Sequence, residues 1–164
     1  MRALVKVLFV CTGNICRSPT ADGILRARVA AAGLAAKVIV DSAGTHGFHV
    51  GEPPDRRSIA AARRQGVEIG DLRARRVRPD DFARFDIIAV MERQHRAELL
   101  RLCPPGLEGR IRLLMSFAAE TGHSEVPDPY YADDSFDGVF TLIDQGVAGL
   151  FAHLCERFRL DPRS

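Results

Sequence analysis

Three side chains in one short run could together transfer a phosphoryl group. In Val10-Cys11-Thr12-Gly13-Asn14-Ile15-Cys16-Arg17-Ser18-Pro19-Thr20, the thiol of Cys11 is followed closely by the guanidinium of Arg17 and the hydroxyl of Ser18. A guanidinium is a planar fork that pairs with two oxygens of a phosphate-like group. Its charge, added to that of a helix N-terminus, favours ionised sulfur, the nucleophilic form of cysteine. Attack at phosphorus also needs an acid, because an alkoxide or phenolate leaves poorly until it is protonated. Asp128 is a candidate: Pro127 and Pro129 stiffen its loop, and Tyr130 and Tyr131 follow directly. Taken singly, Cys11 also reads as a structural cysteine at a strand end. Asp128 alone also reads as a surface turn leading to the Asp133-Asp134-Ser135 cap of the last helix.

The elements around these residues are predicted from pattern. The apolar run 4–10 stops at Gly13-Asn14, as a buried strand does. Ser18-Pro19 predicts a helix start, with Ser18 as cap and Pro19 in the first helical position. Gly13 and Asn14 tolerate positive φ, so the loop between can curl until its N–H groups converge near the positive helix end. Such a concavity binds anions.

Further on, residues 19–32 place Ile24, Leu25 and Val29 on one helical face, and 37–41 read as a short strand followed by a Ser-Ala-Gly-Thr turn. A helix over 56–65 starts after Asp55 and ends at Gly66. Strands follow at 85–90 and 110–115, with helices at 92–102 and about 135–159. This alternation predicts an α/β fold: one domain over 1–164, three layers, a four-stranded parallel sheet with helices on both faces, and the phosphate-binding loop after the first strand. Ligands of such folds sit beyond the carboxyl ends of the strands. Cys11 and Ser42, at that end of the first two strands, are expected to be neighbours.

Composition narrows the function classes. A hydrophobic share of 46% with 27% charged residues is ordinary for a globular chain, and a formal charge of +2 is too small to argue for nucleic acid. The densest basic cluster, Arg73, Arg75, Arg76 and Arg78, predicts a solvated rim attractive to acidic substrates. No uninterrupted apolar run approaches the ~18 residues of a membrane span, and the first strand begins at once without a signal-peptide pattern. A cytoplasmic protein without membrane insertion is expected. The cysteines, Cys11, Cys16, Cys103 and Cys155, form neither a disulfide framework nor a zinc pattern. The scattered histidines, His46, His49, His95, His123 and His153, read as surface residues, so no metal and no cofactor is expected. Cys16 either packs beneath the loop or captures an oxidised Cys11 as a disulfide.

The run 11–18, taken with Asp128-Pro129-Tyr130-Tyr131, resembles the low-molecular-weight protein tyrosine phosphatase family over nearly the whole chain, in length and in motif order. The resemblance implies Cys11 as nucleophile, Arg17 as the phosphate-binding and transition-state group, and Asp128 as acid and then base. Ser18 would donate to the departing sulfur, while Asn14 and Ser42 brace the loop formed by Thr12, Gly13, Asn14, Ile15 and Cys16. Phe48, Tyr130 and Tyr131 match an aromatic slot, with Thr12 and Ile15 opposite. Substrates would be phosphotyrosine proteins, with a tyrosine kinase or its substrates as partners.

Two positions depart from the pattern: Leu72 stands where such families often carry a histidine, and Glu92 where they carry an aspartate. Both bear on loop rigidity. Two other functions fit the loop: a thioredoxin-linked arsenate reductase of the same fold, which needs two further cysteines close together, and a non-catalytic phosphate-binding module.

Overall fold

A computed structural model describes residues 4–131 and 135–163, with Tyr131 known by its backbone alone. Four parallel strands form one sheet in the order β2-β1-β3-β4: β1 Val5–Cys11, β2 Val38–Gly44, β3 Ile87–Val90 and β4 Ile111–Leu113. The helices are α1 Arg17–Ala31, α2 Arg56–Arg64, α3 Asp81–Arg84, α4 Arg93–Leu100 and α5 Phe136–Arg157.

The central strand shows why its sequence is apolar without alternation. Val5, Val7, Phe9 and Cys11 belong to one core, packed with Ile24, Leu25 and Val29 of α1 and Ile143, Val147 and Leu150 of α5. Leu8 and Val10 belong to a second core, with Phe82 of α3, Leu99 of α4, and Phe85. Both faces of the strand are buried, so both need apolar residues. The three layers match the expected α/β architecture.

The chain runs from β1 to β2 on one side, then crosses to β3 on the other. The reversal point therefore lies at the carboxyl end of β1, where the loop 12–16 emerges.

Several boundaries differ from those read in the sequence. β2 continues through the expected turn: Ser42 pairs with Phe9 and Gly44 with Cys11, because β1 offers ladder partners along its full length. A side chain at Gly44 would bring its Cβ to 2.7 Å from the Thr12 carbonyl oxygen, so glycine is needed for this close approach. The short α3 lies where no element was expected, and the strand expected over 110–115 ends at Leu113, its last two residues opening a 3-10 segment, Leu114–Thr121. α5 is long and apolar enough to cross a membrane by those measures alone, although the sequence suggested no such span. Its residues Phe136, Val139, Phe140, Ile143, Val147, Leu150 and Leu154 are buried within the fold.

Candidate active site

Cys11 closes β1 and is 2% exposed. Its sulfur lies 3.0 Å from Ser18 Oγ, and the Ser18 N–H donates to it at 3.4 Å. Because Ser18 Oγ accepts from Asn14 Nδ2 at 2.8 Å, its one proton has two acceptors in reach, the sulfur at 3.0 Å and the Ala43 carbonyl at 3.4 Å, of which the sulfur is the nearer. This explains a departure from the expected helix start. α1 begins at Arg17 with Cys16 as its N-cap, and no side chain caps it, since the Ser18 hydroxyl is engaged elsewhere. Pro19 then sits third in the helix, where a missing N–H costs nothing because first-turn donors lack intrahelical partners. Among the described residues, no hydrogen bond takes up the N–H of Gly13, Asn14, Ile15 or Cys16.

Arg17 is 1% exposed. Its Nη1 donates to the Glu92 carboxylate and, at 2.9 Å, to the Val126 carbonyl. Its Nη2 stands 3.5 Å from both Thr12 Oγ1 and Asp128 Oδ2, while Nε is buried without a partner among the described residues. Glu92 thus reaches the arginine despite being the longer acid.

Glu92 also leads to a residue that was read as a surface histidine. His95 is fully buried, and its Nδ1 accepts from the Glu92 N–H at 3.1 Å. The proton must therefore sit on Nε2, which donates to Thr12 Oγ1 at 2.9 Å. Burial, with Arg17 and then His46 adding to it, lowers the His95 pKa to about 3, so the ring is neutral. Arg17, Glu92, His95 and Thr12 form a closed ring of polar contacts. The available signal was Glu92-x-x-His95 at a helix start, a variant of the reciprocal capping pattern.

Asn14 is the brace on the other side. It adopts φ +59°, is 2% exposed, and donates from Nδ2 to Ser42 Oγ at 3.0 Å as well as to Ser18. Its Oδ1 accepts from the Arg75 N–H at 2.9 Å, so the amide is satisfied without the absent histidine; Leu72 packs against the larger core instead. Arg75 is held by Asp81 at 2.9 and 3.2 Å and by Asp41 at 3.1 Å, which removes it from the solvated rim expected of its cluster. Arg73, Arg76 and Arg78 are exposed. Gly13 does not use positive φ; its value is room, since a Cβ there would meet the His49 ring at 3.0 Å.

Above the sulfur is a cavity of about 300 Å³ whose floor is Cys11, Thr12, Gly13, Ile15, Cys16 and Arg17 and whose walls are Phe48, His49, Asp128 and Tyr130. Phe48 is 80% exposed but stacked on His46 with centroids 5.3 Å apart, and Arg57 lies over the Tyr130 ring. Asp128 Oδ1 accepts from the Tyr130 N–H at 3.0 Å. His49, another expected surface histidine, pairs with Glu52 at 3.3 Å and forms a wall that the sequence did not reveal. The Tyr131 side chain and Asp133 and Asp134 lie outside the described residues.

Cys16 packs beneath the loop with Ile15, Ala61, Ala74 and Phe136, and burial pushes its thiol up to about 12. Cys16 therefore keeps its proton at neutral pH. Cys103 packs against the α3/α4 core and Cys155 against the α1/α5 core, on opposite faces of the sheet. Among the described residues, no group of three or more His, Cys, Asp or Glu is placed to hold a metal.

Comparison with known proteins agrees with this geometry. Residues 6–160 match the model of the low molecular weight phosphotyrosine protein phosphatases. The low molecular weight protein-tyrosine-phosphatase of Streptomyces coelicolor is 40% identical over 156 residues, covering 93% of this chain and 94% of that protein. The crystal structure of YfkJ from Bacillus subtilis superposes with a TM-score of 0.90 at 35% identity, covering 95% of this chain and 98% of that one. Vibrio vulnificus Wzb in complex with benzylphosphonate gives 0.80 at 28% identity, covering 93% and 100%. The chain belongs to the low molecular weight phosphotyrosine protein phosphatase family.

Proposed function

We propose that this enzyme, one domain over its 164 residues, hydrolyses phosphotyrosine in proteins through a phosphocysteine intermediate. The observation that carries the proposal is the set of unused donors around one buried sulfur: the N–H groups of Gly13, Asn14, Ile15 and Cys16, and Arg17 Nε. Buried donors are rarely left unpaired, and donors at a helix N-terminus suit the oxygens of a phosphoryl group.

In the first step Cys11 Sγ attacks phosphorus in line, a sulfur–phosphorus bond forms, and the bond to the tyrosine oxygen breaks as Asp128 gives that oxygen its proton. In the second, water loses a proton to the Asp128 carboxylate and attacks phosphorus, releasing inorganic phosphate and the thiolate. The main-chain N–H groups and Arg17 hold the negative oxygens throughout. Ser18 stabilises the thiolate by its hydroxyl at 3.0 Å. No step calls for a cofactor.

Substrates are phosphotyrosine proteins of the cytoplasm, whose reducing conditions suit a working thiolate, and a tyrosine kinase or its substrates are the natural partners. Support for the aryl preference comes from the walls, Phe48 and Tyr130, and from the benzylphosphonate held by the Vibrio vulnificus relative. An arsenate reductase relay needs two cysteines close together, which Cys103 and Cys155, on opposite sheet faces, do not supply. A binding module would leave Asp128, 3.5 Å from Arg17, without a task.

Matched phosphotyrosine and phosphoserine peptides test the proposal. Phosphoserine is short and brings no ring, and misplacing the reacting atom by about 1 Å costs ~10²-fold. The expected result is a kcat/KM for phosphotyrosine about a hundredfold higher, with Phe48→Ala raising KM more than it lowers kcat, because stacking is felt in ground and transition states alike. Equal kcat/KM on the two peptides would contradict it.

A further inference from the structure

A second hollow lies behind the wall that Phe48 forms. Phe48 faces the cavity over Cys11, whereas His46, stacked against it, faces a hollow of about 190 Å³. The aromatic pair is therefore a partition between two recesses. It is fastened to the loop below, since the Thr45 N–H donates to the Cys11 carbonyl at 2.9 Å and the His46 N–H to the Thr12 carbonyl at 3.0 Å.

The lining of the hollow is unbalanced in charge. Arg76 and Arg101 both contribute to it, and neither guanidinium has an ion pair or hydrogen bond among the described residues. Glu98, the one acid in the lining, already lies 3.6 Å from His46 Nε2. Thr45, 8% exposed, lines the same hollow, and its hydroxyl has no partner among the described residues. Two unengaged guanidinium forks and a spare hydroxyl make a place for a carboxylate.

We infer that this hollow is a subsite for an acidic side chain of the substrate, close in sequence to the phosphotyrosine. The inference rests on the phosphatase activity proposed above. Two stacked rings with their outer faces make a partition roughly 9 Å thick, which an extended chain rising about 3.3–3.6 Å per residue crosses in about three residues. The acid therefore belongs two or three positions from the phosphotyrosine. It enters beside the partition while the phosphate is held over Cys11.

The test compares phosphotyrosine peptides carrying Glu or Gln at the second and third positions, before or after the phosphotyrosine, in the wild type, Arg76→Gln and Arg101→Gln. The expected result is about a fivefold higher kcat/KM for the Glu peptide in one of the two directions, the size of a good exposed ion pair. That preference should shrink as salt rises and should fall in each variant. Taking the ratio of two peptides within one protein cancels any change in folded fraction. Equal values for Glu and Gln, or a preference left intact in both variants, would overturn the subsite. If no peptide is turned over at all, the proposed activity is wrong; the Glu-to-Gln ratio of peptide affinities for Cys11→Ser protein then decides the subsite by the same criteria.

Discussion

Burial sets the protonation of two side chains, one beside the loop and one within α1, with opposite consequences. His95 is neutral because its ring is enclosed, and the backbone N–H of Glu92 fixes the tautomer that donates to Thr12. In ¹⁵N spectra one imidazole should therefore keep its proton on Nε2 with no titration down to about pH 4; a His95 ring that titrates near 6.5 would contradict the assignment. His95→Ala should lower kcat by about tenfold to a hundredfold, as expected when a reacting group shifts by up to about 1 Å. His95→Asn should recover part of the loss, because its amide can still meet the Glu92 N–H.

Asp22 behaves as the reverse case. Burial pushes its carboxyl up to about 6, Arg26 opposing and Asp41 adding to the shift. Between its ordinary 3.8 and about 6, the folded state holds a proton that the unfolded state has released. Stability supplied by that proton is complete below the window and is lost as pH rises through it. Asp22→Asn should flatten this fall in urea midpoints measured from pH 4 to 7; an unchanged slope would show that Asp22 titrates normally.

At the scale of elements, the closing helix is held at its glycines. A Cβ on Gly149 would lie 1.9 Å from the Phe117 carbonyl oxygen, and one on Gly146 would meet Leu114 and Met115 at 2.8 and 2.9 Å. α5 can approach the 3-10 segment this closely only without side chains there. Gly149→Ala should destabilise the fold by about 1–3 kcal/mol, as overpacking does, while activity per folded molecule is kept. Thermal or urea unfolding would check this, and an unchanged midpoint would mean that the two elements can separate freely.

The same pair shows where sequence patterns stop informing. The helix was legible because its apolar residues recur at helical spacing over many turns. The 3-10 segment was not, since eight residues in a tight helix leave little period to detect. The tail of β2 was hidden for another reason: Ser42-Ala43-Gly44 has the composition of a turn, and only the ladder offered by β1 makes it strand.

In the whole molecule, the loop works because distant segments converge on it at the point where strand order reverses. Cys11, Arg17, Ser18 and Asn14 could be read together because one short run contains them. His95, Arg75 and His49 could not. Each belongs to a segment that reaches the loop only through the fold, and each presented in sequence as an ordinary surface residue. Asp128 falls between these cases, since its prolines and tyrosines marked it but only the fold places it 3.5 Å from Arg17.

In the proposed mechanism these contacts serve one chemical event, bond formation between Cys11 and phosphorus. In Asp128→Asn protein the water step loses its base, while nitrophenolate still leaves readily without an acid. Acid-quenched mass spectrometry of that variant during turnover of nitrophenyl phosphate is therefore the most direct measurement. The account predicts one phosphoryl group on the peptide that contains Cys11, absent from the Cys11→Ser, Asp128→Asn double variant. Turnover with no phosphorylated cysteine, or with the group on another residue, would contradict it.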